Sequence, residues 1–217
     1  MDNSNKKVVL VTGSSGLVGC GIKTSLNAET DKENEEWVFL SSKDGDLRKY
    51  EDTAKIFEKY KPTHCLHLAA YVGGLFRNLK YKSEFFDYNM LINMNVLRCC
   101  KEFKLVKVVS CLSTCIFPDK TKYPINEQML HDGAPHPSNE GYAYAKRMLE
   151  IQCKAYRENY GSAFQCVIPT VLLGISGVKG PWVTINSGKI EGEIEKVTIT
   201  LKDRIKNALT DMGFKEN

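Results

Sequence analysis

The segment that most restricts how this chain folds lies near its start. An apolar run, Val8 to Val11, leads into Thr12-Gly13-Ser14-Ser15-Gly16-Leu17-Val18-Gly19, and a helical pattern with Leu17, Val18, Ile22 and Leu26 apolar follows. A strand, a tight loop and a helix are therefore predicted over Lys7 to about Leu26. Glycines at three-residue intervals let the backbone turn sharply and approach a pyrophosphate, whose charge is met by the free N–H groups at the helix start. A bare glycine triplet is a weak signal. Its place between a strand and a helix makes it a dinucleotide-binding loop.

The pattern continues. A second strand is expected at Trp37 to Leu40, a helix at Glu51 to Tyr60, and a third strand at Cys65 to Ala70 after Pro62. From Ser83 to Phe103 apolar residues occur on nearly every helical face, so this helix is expected to be buried against a sheet. Val106 to Leu112 reads as the next strand. A proline-bearing loop then leads to a helix whose residues Tyr142, Ala145, Leu149, Cys153, Tyr156 and Tyr160 recur at spacings of three and four. Phe164 to Ile168 reads as a further strand, stopped by Pro169. Strands alternating with helices imply an α/β chain with a doubly wound parallel sheet, Rossmann-like in arrangement. Residues 171–217 differ in character: they carry clustered glycines, an alternating stretch over Glu193 to Leu201 that suits strand or helix, and a lysine-rich end. The expected organisation is a cofactor-binding domain over 1–170 and a divergent segment over 171–217.

Composition narrows the function classes. No apolar run approaches the roughly 20 residues of a membrane span, and the first residues lack a signal-peptide pattern, so no membrane association and a cytoplasmic location are expected. The eight cysteines show no C-x-x-C spacing and several fall inside apolar patterns, which predicts reduced core thiols and no metal site. A net charge of +4, dispersed along the chain, excludes a nucleic-acid footprint but suits an anionic small molecule.

The second predicted strand ends in Ser41-Ser42-Lys43, where NAD-binding sheets usually offer a carboxylate to the ribose hydroxyls. Ser42 and Lys43 would instead attract a 2′-phosphate, so NADP(H) is the expected cofactor, with Asp46 and Leu47 beside its adenine edge. Tyr142 and Lys146 stand one helical turn apart on one face. An ammonium so placed is expected to lower the phenol's pKa toward neutrality, and the lysine also reaches ribose hydroxyls. The pair opens a helix that follows Val109-Ser110-Cys111-Leu112-Ser113-Thr114-Cys115, a strand end of the kind that holds ligands. Ser113 suits a hydrogen bond to a substrate carbonyl. Cys115, two residues on, suits abstraction of a proton from carbon next to a ketone.

With these features and Leu68-Ala69-Ala70, the chain resembles the extended short-chain dehydrogenase/reductase superfamily. Two longer stretches, His67 to Asn78 and Ser110 to Lys120, are similar to the GDP-L-fucose synthase family, and the likeness covers about Lys7 to Thr170. The resemblance implies a two-stage reaction on GDP-4-keto-6-deoxy-D-mannose. Cys115 would be the base that epimerises C3 and C5; hydride from NADPH would then reduce C4, with Tyr142 donating the proton, Lys146 tuning it and Ser113 holding the oxygen. It further implies that Gly13, Ser14, Ser15, Gly16, Leu17, Val18, Gly19, Leu68, Ala69, Ala70, Cys111, Leu112, Thr114, Lys146, Pro169, Thr170, Val171 and Leu172 line the cofactor. A homodimer through the Ser83–Phe103 and Tyr142–Tyr160 helices is implied as well. The chain departs from the family where Val171-Leu172-Leu173-Gly174 replaces a passage leading to an acid histidine and a nucleotide-sugar lobe. His64, His67, His131 and His136 all precede that point, and the latter two read as loop residues. A C-terminally truncated or divergent member is expected, with a catalytically impaired NADP(H)-binding or subunit-pairing module as the alternative to an active epimerase/reductase.

Overall fold

A computed structural model describes residues 6–28, 34–169, 172–173 and 183–184. The strands β1 (Lys7–Thr12), β2 (Glu35–Phe39), β3 (His64–His67), β4 (Lys107–Cys111) and β5 (Ala163–Val167) form one sheet in the order β2-β1-β3-β4-β5. Every pairing in it is parallel. The strands are short and apolar on both faces: Val9, Leu10 and Val11 are fully buried, as expected where crossover helices cover a parallel sheet twice.

The helices α1 (Leu17–Ala28), α2 (Tyr50–Tyr60), α3 (Leu75–Lys80), α4 (Lys82–Glu102) and α5 (Glu140–Tyr160) supply those layers. One cluster packs Val9, Val11, Ile22, Leu26, Leu66 and Val109 against α1. A larger one gathers Leu10, Phe57, Val96, Leu97, Val108, Leu149 and Phe164 beneath α2, α4 and α5. The core at these positions alternates along each strand, so successive residues of β1 feed opposite layers.

The parallel register aligns the carboxyl ends of three strands: Thr12 pairs with His67, and His67 with Ser110. The strand order reverses between β1 and β3, and ligands of open α/β sheets bind beside such a switch point. All the candidate chemistry of the sequence reading leaves the sheet on this edge.

The α4 helix is buried against the sheet as expected, but along one face only. Phe85, Asn89, Asn93, Val96 and Leu97 face inward, while Phe86, Leu91 and Met94 are exposed, because one side meets the sheet and α5 and the other meets nothing among the described residues. The sequence reading also missed α3, six residues that present Leu75, Phe76 and Leu79 to solvent and carry no periodic apolar face. Of the segment over 171–217, the described part is a two-residue antiparallel pair, β6 (Leu172–Leu173) with β7 (Val183–Thr184). Thr170, Val171 and the stretch over 193–201 lie outside the described residues. All eight cysteines are free thiols, and only Cys20 is exposed.

Candidate active site

The glycine loop is shaped by contacts that leave no room for side chains. Gly13 has a positive φ of 69°, and a Cβ there would stand 2.6 Å from the Ala69 nitrogen. The β1–α1 loop therefore lies directly on the Leu68-Ala69-Ala70 backbone leaving β3. Thr12 closes this seam: its hydroxyl accepts from the N–H groups of Leu68 at 3.2 Å and Ala69 at 3.1 Å. Ser14 donates to the Leu40 carbonyl at 2.6 Å, so its side chain ties the loop to the end of β2 instead of facing outward. Gly19 is buried, whereas Ser15, Gly16 and Leu17 are exposed at the start of α1, where first-turn N–H groups lack partners inside the helix. This is a cradle for an anion, and the residues present fit a pyrophosphate.

At the end of β2, Asp44 is turned back on its own loop and accepts from Ser41 through both N–H, at 2.8 Å, and hydroxyl, at 2.9 Å. The Ser41 N–H holds its carboxyl below the usual range. Ser42 and Lys43 are left at the exposed tip of this turn. Asp46, expected beside an adenine edge, clasps Arg48 through both carboxylate oxygens, with Nη2 to Oδ2 at 2.7 Å, and the Arg48 hydrogen bond brings its pKa to about 2. Leu47 packs against the core and its carbonyl accepts from Asn95 at 3.0 Å. The Asp46 and Leu47 polar groups are thus engaged within the chain.

The catalytic candidates come together on the next strand. Ser113 leaves β4 in extended backbone and precedes a 3-10 turn, Thr114–Ile116, that carries Cys115; Thr114 itself is exposed. Leu112 is buried and bonded through its N–H to the Val167 carbonyl at 2.8 Å. The first turn of α5 is pressed onto α4 at Gly141, where any Cβ would collide with the Lys82 carbonyl. That contact sets Tyr142 opposite the turn. Ser113 lies close enough to the Tyr142 phenol and the Cys115 thiol to oppose the rise in both their pKa values, and the thiol in turn raises the phenol's. Lys146 is buried, donates to the Cys111 carbonyl at 2.7 Å, and holds its Nζ 6.0 Å from the centre of the Tyr142 ring.

The electrostatics differ from the sequence expectation. Burial, reinforced by Cys115 and Cys111, pushes the Tyr142 phenol well above its ordinary value, and Ser113 opposes this only in part. Burial likewise lowers the Lys146 ammonium. The Tyr142–Lys146 spacing does put both on one face, but the lysine reaches a carbonyl of β4 and the tyrosine is half-buried. Burial also raises Cys115, against the lowering effects of Ser113, Lys146 and Arg147.

Other expected residues sit apart from this group. His131 pairs with Glu150 at 3.2 Å, and His136 caps Ser138 and lies 3.9 Å from Asp119, both on exposed surface. Pro169 follows β5. The sequence reading missed a buried chain of polar groups beneath the site: Thr12 Oγ1 to His67 Nδ1 at 2.8 Å, His67 Nε2 to Asn93 Oδ1 at 3.1 Å, and Asn93 Nδ2 to the Ala145 carbonyl at 3.4 Å. The signal was present as two asparagines, Asn89 and Asn93, four residues apart within an apolar helix.

A family model described as the NAD dependent epimerase/dehydratase family matches residues 9–197. The chain belongs to this family. Within it, the chain is similar to a GDP-L-fucose synthase of Dictyostelium discoideum, at 56% identity over 212 residues that cover 98% of this chain and 64% of that protein. A probable GDP-L-fucose synthase of Drosophila melanogaster is 52% identical over 77% of this chain and 52% of its own length. A crystal structure of a Naegleria fowleri GDP-L-fucose synthetase bound to NADP superposes with a TM-score of 0.73 and 50% identity, over 78% of this chain and 55% of that one. The Dictyostelium match runs past Thr170, beyond the extent expected from the sequence. The chain spans between about half and 64% of the length of these relatives.

Proposed function

We propose that this chain is the cofactor-binding and catalytic portion of a GDP-L-fucose synthase, an NADP(H)-dependent epimerase and reductase that converts GDP-4-keto-6-deoxy-D-mannose to GDP-L-fucose. The observation that carries this reading is the convergence of Ser113, the Cys115 thiol, the Tyr142 phenol and Lys146 at the carboxyl edge of the sheet. A reductase alone has use for Ser113, Tyr142 and Lys146. The thiol adds a base for the carbon acids next to the same ketone.

The residues that would hold NADP(H) are the β1–α1 loop, Leu68 to Ala70, Lys146, and Ser42 with Lys43 for the 2′-phosphate; when bound, the cofactor supplies the hydride for C4. The chain's own groups do the rest. Ser113 donates to the ketone oxygen and thereby acidifies the neighbouring C–H bonds. Cys115, as thiolate, takes a proton from carbon and becomes a thiol, leaving an enolate that takes its new proton from water on the opposite face. Tyr142 retains its proton at neutral pH because of its burial, and it gives that proton to the C4 oxygen, since an alkoxide is a stronger base than any phenolate. We assign residues 1–170 to the cofactor domain and the site residues above to these roles, in a cytoplasmic enzyme. The exposed apolar faces of α4 (Phe86, Leu91, Met94) and α5 (Met148, Ile151) suit a homodimer.

A second reading, an NADP(H)-binding or subunit-pairing module without turnover, is favoured by His131 and His136 being engaged elsewhere, which leaves no histidine to reprotonate the sugar. One experiment separates the two. Incubating the protein with the ketosugar in D2O and NADPH should give deuterium at C3 and C5 and loss of NADPH absorbance. Cys115→Ser should abolish the exchange and Tyr142→Phe should slow reduction by at least about a hundredfold while exchange persists. NADPH binding without either reaction would establish the module.

A further inference from the structure

Arg147 follows the catalytic lysine of α5 and is not explained by the reaction as described. It is 4% exposed, and no carboxylate pairs with it among the described residues. Its Nε donates to the Ile116 carbonyl at 2.6 Å, one residue beyond Cys115, and its guanidinium lies 5.5 Å from the centre of the Tyr144 ring. Its Nη2 is buried without any hydrogen-bond partner. A buried cation with one satisfied arm and one orphaned arm is costly to keep, because the unmet donor has lost its water without gaining a partner. Surface lysines would hold a turn more cheaply.

We propose that Arg147 is a positioning residue for Cys115: one arm pins the 3-10 turn that carries the thiol, and the uncompensated charge stabilises the thiolate once the proton leaves. The inference rests on the reading of Cys115 as the base. The groups that face this thiol are Ser113 from its own loop, and Lys146, Arg147 and the neutral Tyr142 phenol from α5. Cys111, at the end of β4, faces Tyr142 and Lys146. No carboxylate among the described residues pairs with either cation, and both act in one direction on the thiol. Lys146 commits one of its three donors to the Cys111 carbonyl, and Arg147 keeps Nη2 buried without a partner.

The test is the pH dependence of Cys115 alkylation by iodoacetamide, located by peptide mass spectrometry, with exposed Cys20 as internal standard in the same samples. Arg147→Gln keeps an N–H for the Ile116 carbonyl but no charge; Arg147→Lys keeps the charge. The expected result is an alkylation midpoint about one pH unit higher in R147Q, hence roughly tenfold slower reaction below it, with R147K close to the parent. An unchanged midpoint in R147Q, or an equal shift in both variants, overturns the proposal. If R147Q does not fold, the unaltered protein decides: anionic iodoacetate should react with Cys115, relative to Cys20, faster than neutral iodoacetamide does, and the reverse order refutes it. Neither measurement uses the sugar. Failure of ketosugar turnover with a shifted midpoint rejects the enzymatic reading alone, and turnover with an unshifted midpoint rejects the role of Arg147 alone.

Discussion

His67 should make this protein sensitive to mild acid, and the structure gives the size of the effect. Its ring is fully buried between β1 and α4. Thr12 Oγ1 already accepts two backbone N–H groups, so its own hydrogen goes to His67 Nδ1, and the ring carries its hydrogen on Nε2 toward Asn93. A second ring proton would have to displace the threonine hydrogen in a dry site facing Lys146. Burial, with the lysine charge second, lowers the pKa from 6.5 to about 3. Between those values the unfolded chain binds a proton that the folded one refuses, so stability rises with pH through this window and falls as pH drops from about 6.5 toward 3. At pH 5 the loss is about 2 kcal/mol, equivalent to roughly 4–8 °C in Tm for a chain of this size. The depressed carboxylates Asp44 and Asp46 do not interfere, because their contribution is present above their unfolded value of 3.8 and is lost only below it. His64, also lowered by burial, acts in the same direction as His67 and leaves a residual slope. Thermal melts of the unaltered protein and His67→Gln from pH 7.5 to 4.5 provide the check. The variant should start less stable and lose less on acidification; identical slopes would refute the reasoning.

Two further outcomes follow from the cofactor cradle. Gly13→Ala forces a Cβ to within 2.6 Å of the Ala69 nitrogen at a φ of 69°, so it should cost at least about 2 kcal/mol in denaturant melts and remove NADPH binding measured by fluorescence. Lys43→Glu sets a carboxylate at the tip of a turn whose own Asp44 is already held by Ser41, and it should reduce the preference for NADPH over NADH roughly tenfold or more, about 1.4 kcal/mol, in paired titrations with the two cofactors.

The sheet was legible in the sequence because fully buried parallel strands leave unbroken apolar runs: Val8 to Val11 became β1, and Val106 to Leu112 became β4 with a difference of one residue at each end. The grouping of Ser113, Cys115, Tyr142 and Lys146 was legible for a related reason. In a parallel sheet every strand ends on the same edge, so chemistry placed just after a strand meets other chemistry placed likewise. What could not be read was direction. Helical spacing places Tyr142 and Lys146 on one face, yet whether an ammonium turns to a ring or to a carbonyl depends on the strand beneath, and here Cys111 takes it. The same holds for α4, whose sequence is apolar all round although only one side has a partner. Its Phe86, Leu91 and Met94 remain exposed among the described residues.

The corrected electrostatics alter how the site is understood. A lysine that depressed the tyrosine pKa would make a phenolate, and a phenolate cannot donate to a reduced ketone. Burial instead keeps the proton on Tyr142 and denies Lys146 and Arg147 any carboxylate partner among the described residues. The two cations are met by backbone carbonyls, at Cys111 and Ile116, that bracket Ser113 and Cys115 in sequence. The stretch bearing the serine and thiol is therefore clamped at both ends by cationic side chains that no carboxylate among the described residues pairs with. Such an arrangement favours whatever becomes negative between the clamps, whether a thiolate, an enolate or an alkoxide, and it does so before any ligand arrives. The cost is borne by the fold as desolvated charge, and His67, kept neutral chiefly by its own burial and secondarily by Lys146, is a residue through which acid should act on stability.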